Sequence, residues 1–144
     1  MSAPTVVSLF CGIGGLDLGF EWAGANVIWA TDLSPIVSNS YPLNFNTPME
    51  EVDICNLSPA SIPDSDIIIG GPPCQSFSLV GKRSENDERG ALVFRFLDII
   101  DEKRPSSFVM ENVPGILSTR IDGERLTEYL QDQFIKMGYK VSVM

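Results

Sequence analysis

The sequence predicts an α/β fold, a doubly wound and mostly parallel sheet. Three observations carry that expectation. Short apolar, β-branched runs alternate with stretches of helical period along all 144 residues. That is the pattern of βαβ units with right-handed crossovers. The first apolar run ends in a glycine cluster, Cys11-Gly12-Ile13-Gly14-Gly15, a tight strand-to-helix turn that lets the backbone approach a ligand. Two later runs end in residues that can do chemistry, Cys74 and Glu111. In open α/β sheets the carboxyl edge of the strands is where ligands bind.

The elements follow in order. Val6, Val7, Leu9 and Phe10 form the first strand. Leu16 to Ala23 reads as a helix with Leu16, Phe20 and Ala23 on its inner face, stopped by Gly24. Asn26 to Thr31 is the second strand, and it ends in Asp32. An acid about 20 residues past a glycine loop can accept hydrogen bonds from ribose hydroxyls; it can equally be a solvated turn residue. Ser34-Pro35 opens a helix with a capping hydroxyl and a proline in its first turn, and Tyr41-Pro42 closes it. Asn44 to Pro48 and Leu57 to Pro63 are turn-like, with Val52-Asp53-Ile54-Cys55 between them.

Ile67, Ile68 and Ile69 then form a buried strand, halted by Gly70-Gly71-Pro72-Pro73. Neither proline donates a backbone hydrogen bond, so the ladder ends there and presents Cys74 on a stiff loop. A thiol so presented is a candidate nucleophile; the alternative is a proline-rich turn with an incidental cysteine. The polar stretch Leu79 to Gly90 is either a solvated loop or a lid over that thiol. Ala91 to Lys103 is a helix with Leu92, Phe96, Ile99 and Ile100 inward and Asp98, Asp101 and Glu102 outward. Pro105 ends it. Ser107 to Met110 is a strand leading into Glu111-Asn112-Val113-Pro114-Gly115. Gly123 to Met137 is read as the last helix, capped by Gly138, and Tyr139 to Val143 as the start of a strand.

Composition narrows the function. The chain has no histidine, which excludes a Ser-His-Asp or Cys-His hydrolase within these residues. Three cysteines without C-x-x-C spacing speak against a zinc site or a disulfide framework. No apolar run reaches membrane-spanning length, so a soluble cytoplasmic protein is expected. The formal net charge is −9, the wrong sign for a surface that grips phosphates.

Taken together, the motifs resemble those of the cytosine-C5 DNA methyltransferases, in that family's order. Gly70-Gly71-Pro72-Pro73-Cys74-Gln75-Ser76-Phe77-Ser78 resembles the nucleophile motif, and Glu111-Asn112-Val113 the catalytic acid motif. Phe10 through Gly15 and Asp32 resemble the first two cofactor motifs, Asp53-Ile54 the adenine-binding one, and Arg89-Gly90-Ala91-Leu92 a later one. The resemblance implies a Rossmann-like methyltransferase fold that binds S-adenosyl-L-methionine. It implies cofactor contacts by Phe10, Gly12, Ile13, Gly14, Asp32, Leu33, Asp53, Ile54, Gly71 and Leu92. It implies Cys74 and Glu111 as catalytic residues, with Pro73, Gln75, Ser78 and Asn112 against the base. The substrate implied is cytosine in DNA. A tRNA substrate, as in a related branch, and a non-catalytic S-adenosylmethionine-binding module are the alternatives.

Residues 1–144 correspond to the front part of that family's catalytic domain. Its target-recognition region has no counterpart here, so the fold is expected to be incomplete at the C-terminus. A second polypeptide or a further segment is expected to supply that region.

Overall fold

The computed structural model describes residues 2–73, 91–121 and 123–144, and for Ala91 the backbone alone. Five strands build the main sheet: β1 (Thr5–Leu9), β2 (Asn26–Asp32), β3 (Met49–Glu51), β4 (Ile67–Gly70) and β5 (Ser107–Met110). Their order is β3-β2-β1-β4-β5, and every pairing is parallel. Strand order therefore reverses between β1 and β4, which opens a crevice at their carboxyl ends.

Helices cover both faces. Val7, Leu9, Trp29 and Ile68 point to one side, where α3 (Ala91–Lys103) brings Val93, Phe96, Ile99 and Ile100. On the same side α4 (Leu126–Lys136) brings Leu126, Leu130 and Phe134. Alternate residues Val6, Val27 and Ile69 point the other way, under Leu16 and Phe20 of α1 (Gly15–Trp22). The helix α2 (Pro35–Ser40) adds Val37 to a neighbouring cluster with Cys11, Ala30, Tyr41 and Phe45. This two-sided arrangement is the expected doubly wound fold.

Gly70 is required where β4 passes β1. A Cβ there would lie 2.7 Å from the Leu9 carbonyl oxygen and 3.1 Å from the Phe96 ring. The strand thus ends on a glycine because β1 and α3 close on it from two sides.

Four expectations need correction, and one strand was not expected. Ala23 is exposed, and the residue that α1 buries is Asp17. The Ser34 hydroxyl does not cap α2; the Ser34 N–H instead donates to Asp32 Oδ1, which turns the chain before the helix begins. Met49–Glu51 is a strand that the sequence conceals, because a three-residue edge strand carrying two glutamates shows no alternation. Helix α4 starts at Leu126, not Gly123, because Arg120–Ile121 (β6) and Glu124–Arg125 (β7) pair antiparallel. Gly123 turns that hairpin with φ +89°. Tyr139–Val143 is not a strand: the Tyr139 hydroxyl donates to the Pro105 carbonyl and its ring meets Phe108 edge-on. A cavity of about 630 Å³ separates the segment from β5, so no ladder forms. Among the described residues no helix is long and apolar enough to cross a membrane.

Candidate active site

The carboxyl ends of β1 and β2 carry an unusual backbone. Phe10, Gly12 and Gly14 have φ of 54°, 53° and 86°. For Phe10 this left-handed conformation costs on the order of 1 kcal/mol or more, and such strain concentrates at functional sites. Three hydrogen bonds hold the loop in shape. Cys11 N–H donates to the Thr31 carbonyl at 3.0 Å, Gly14 N–H to the Cys11 carbonyl at 3.0 Å, and Gly12 N–H to Asp32 Oδ2 at 3.0 Å. Asp32 Oδ1 accepts from Ser34 N–H at 2.9 Å. The carboxylate is thereby fixed, and each oxygen keeps a lone pair for a further donor.

Ile13 and Leu33 flank this loop with 74% and 63% of their surface exposed. Exposed aliphatic side chains beside a fixed carboxylate suit the flat apolar face and hydroxyls of a nucleoside. Asp53 accepts from Cys55 N–H and Asn56 Nδ2, so its carboxylate shapes its own turn. Ile54 is 4% exposed and belongs to the core; its carbonyl accepts from Arg95 Nε of α3 at 3.0 Å. Leu92 is half-buried against that same core.

A second hollow of about 440 Å³ lies between the ends of β1, β4 and β5. It brings Phe10, Gly71 and Glu111 together, from three different stretches of the sequence. Glu111 N–H donates to the Gly70 carbonyl at 2.9 Å, continuing the ladder by one bond beyond the strands. A Cβ on Gly71 would stand 3.1 Å from Glu111 Oε2, so the glycine lets the carboxylate lie against the β4 loop. Asn112 Nδ2 donates to the Pro72 carbonyl at 2.8 Å, which ties the two loops together. Pro73 is exposed beside that clasp. Cys74, Gln75, Ser78, the Arg89-Gly90 pair and the stretch Leu79 to Gly90 lie outside the described residues.

Sequence reasoning missed one buried network. Asp17 has no exposed surface, and it accepts from Ser8 Oγ at 2.9 Å and from the Tyr41 hydroxyl at 2.7 Å. Its spacing gave a signal: Asp17 precedes Phe20 by three positions, which places both on the inward face of α1. Burial raises the Asp17 carboxyl above the usual range, while the bonds from Tyr41 and Ser8 pull it back. Burial also pushes the Cys11 thiol up to about 12, helped by the charges of Asp17 and Asp32. Cys11 is therefore a neutral packing residue at physiological pH. With a limiting amount of iodoacetamide at pH 8, exposed Cys55 is expected to react at least about tenfold faster than Cys11. Peptide mapping that finds equal rates would show that the loop opens.

The profile of the C-5 cytosine-specific DNA methylase family matches residues 4–144. The chain belongs to that family. It is 40% identical over 141 residues to the Type II methyltransferase M.NgoFVII of Neisseria gonorrhoeae, covering 96% of this chain and 37% of that protein. It is 43% identical over 123 residues to M.AquIA of Picosynechococcus, covering 78% of this chain and 50% of that one. The chain thus spans half or less of these relatives. Among solved structures, a prophage-encoded E. coli protein assigned as a DNA modification methyltransferase superposes with a TM-score of 0.75 at 30% identity, over 93% of this chain and 38% of that chain. Dnmt2 of S. pombe gives 0.71 at 23% identity, over 93% and 41%, a likeness of fold. Methyltransferases of the C-5 family draw their methyl group from S-adenosylmethionine.

Proposed function

We propose that these residues form the cofactor-binding and nucleophile-bearing part of an enzyme that methylates C5 of cytosine in DNA. The observation that carries this is the meeting of Gly71 and Glu111 in one hollow, with each followed directly in the chain by a member of the Pro72–Asn112 clasp. It sets a carboxylate beside the loop that leads, two residues on, to Cys74.

The residues present fit S-adenosylmethionine. The left-handed glycine loop leaves its backbone open, Asp32 is fixed for hydroxyl donors, and Ile13 and Leu33 are free for an apolar face. Phe10, Gly12, Ile13, Gly14, Asp32 and Leu33 would hold it, with Asp53, Ile54, Gly71 and Leu92 around them. When bound, it supplies an electrophilic methyl group on a sulfonium.

The chain's own residues would do the rest. Cytosine C5 is a weak nucleophile. Addition of the Cys74 thiolate at C6 pushes electron density to C5, and loss of the C5 proton later expels the thiolate and restores the ring. Glu111 would hydrogen-bond the N3 and amino edge and steady charge on the ring during that addition. The base must leave the duplex to reach the hollow.

Asp32→Ala is expected to weaken S-adenosylmethionine binding by about 2 kcal/mol, roughly thirtyfold, since it removes a charged acceptor and frees two backbone donors. Isothermal calorimetry on the folded variant checks this; unchanged affinity would remove Asp32 from the site.

The charge bears on DNA. Nineteen acidic against ten basic residues oppose a polyanion, whose binding is driven by neutralised phosphates. We infer that the surface gripping DNA lies on residues beyond these, in a further segment or a second polypeptide. The 144-residue chain is expected to transfer no labelled methyl to DNA until that part is added. Robust turnover by the chain alone would overturn this.

A further inference from the structure

The buried carboxylate of Asp17 has no part in the chemistry just described. Among the described residues it is nevertheless one of two acidic side chains that bound the hollow between β1, β4 and β5, the other being Glu111. Glu111 comes from the loop after β5, Asp17 from the first turn of α1.

The network around Asp17 gives its carboxylate two donors that offset part of the cost of burial. Two hydroxyls, from Ser8 on β1 and from Tyr41 after α2, donate to its two oxygens. Tyr41 is itself locked by stacking on Phe45, with ring centroids 4.5 Å apart. Burial raises this carboxyl, and the two hydroxyl donors, with the helix N-terminus, work against that rise and favour the anion. The neighbouring thiol of Cys11 stays neutral and adds no charge of its own. No lysine or arginine lines the hollow among the described residues.

The position of the hollow says which part of a cofactor it would receive. The exposed pair Ile13 and Leu33, with Asp32, sits at the β2 side and suits the nucleoside. The hollow sits at the β4 and β5 side, next to the loop leading to Cys74, where the reactive end must come. That end is a cation before transfer and a neutral thioether afterwards.

We propose that Asp17 is a specificity-determining residue that makes the hollow favour the cationic cofactor over its neutral product. This rests on the cofactor reading above. A buried charge acts strongly over several ångströms because little water screens it. The field of Asp17 would stabilise the sulfonium and leave the thioether unaffected.

The test is calorimetric titration of the 144-residue chain with S-adenosylmethionine and with S-adenosylhomocysteine, in wild type, Asp17→Asn and Asp17→Ser. Both variants remove the charge while leaving polar groups for the two hydroxyls, and the stoichiometry reports the fraction that is folded. Ser8→Ala and Tyr41→Phe keep the charge and loosen the network, as controls for shape. Affinity for S-adenosylmethionine is expected to fall about tenfold in the neutral variants and that for S-adenosylhomocysteine less than about threefold. The controls are expected to move both ligands by equal factors. If the neutral variants weaken both ligands equally, Asp17 only shapes the loop and the proposal fails. If wild type binds neither ligand, the cofactor reading itself falls and this proposal with it.

Discussion

Cys74→Ser in the enzyme proposed above is expected to lower methyl transfer on the order of 10⁶-fold, the scale seen when a nucleophile is removed from a site whose binding groups remain. An alcohol ionises far less readily than a thiol, whose ordinary pKa is about 8.5, and it is the anion that adds to the ring. Binding of S-adenosylmethionine should be unchanged, since Cys74 is not among the residues proposed to hold the cofactor. The geometry that makes Cys74 the candidate is indirect but specific. Asn112 holds the Pro72 carbonyl at 2.8 Å, and Glu111 lies against Gly71, so the chain enters residue 74 from a fixed point beside a carboxylate. Single-turnover transfer of a labelled methyl group measures the rate. Trapping on 5-fluorocytosine DNA, followed by peptide mass spectrometry, locates the adduct. An adduct on Cys11 or Cys55, or one undiminished in Cys74→Ser, would take Cys74 out of the mechanism. Cys11 is a poor alternative on independent grounds, because its thiol is buried and pushed up to about 12.

Where the sequence was legible, local and tertiary demands agreed. Helix α3 runs from Ala91 to Lys103 and β5 from Ser107 to Met110, both as read from the pattern. Each has a clean period, and Pro105 separates them. The glycine loop and Asp32 were legible because a tight strand-to-helix turn demands glycine and because the acid falls at a strand end. The errors have a common physical cause, which is that a neighbour decided the outcome. Met49–Glu51 is a strand only because β2 offers an edge. Tyr139–Val143 has strand-forming residues and no ladder, because Tyr139 is anchored to Pro105 and Phe108 instead. The helical pattern of α4 reads back to Gly123, yet β6 and β7 pair antiparallel across that glycine. Asp17 was passed over for the same reason. An acid in a first helical turn ordinarily faces water, and nothing local reveals that Ser8 and Tyr41 will converge on it. Ile54 shows the limit of motif reading: its side chain is core, and only its backbone is left to face a ligand.

The largest loss of stability from a single methyl group is expected at Gly14. Its φ is +86°, a conformation that costs an L-residue about 1–2 kcal/mol. The added Cβ would also stand 2.2 Å from Phe45 Cε2 and 2.5 Å from Cζ. Phe45 cannot yield freely, since it is buried and stacked on Tyr41, whose hydroxyl is bound to Asp17. Forcing a ring out of a packed cluster costs about 1–3 kcal/mol more. Gly14→Ala should therefore lose roughly 2–5 kcal/mol in all, a large part of the 5–15 kcal/mol typical of a folded domain. Two neighbours separate the causes. Gly12 has φ +53° and nothing within 4 Å of an added Cβ, so Gly12→Ala should cost only the backbone part. Gly15 has no positive φ and open space, and as the first residue of α1 it should tolerate alanine or gain slightly from it. Urea unfolding of the three variants, followed by far-ultraviolet circular dichroism, orders them. If Gly14→Ala proves no less stable than Gly12→Ala, then Phe45 moves aside at little cost, and the aromatic pair is not what fixes the glycine loop.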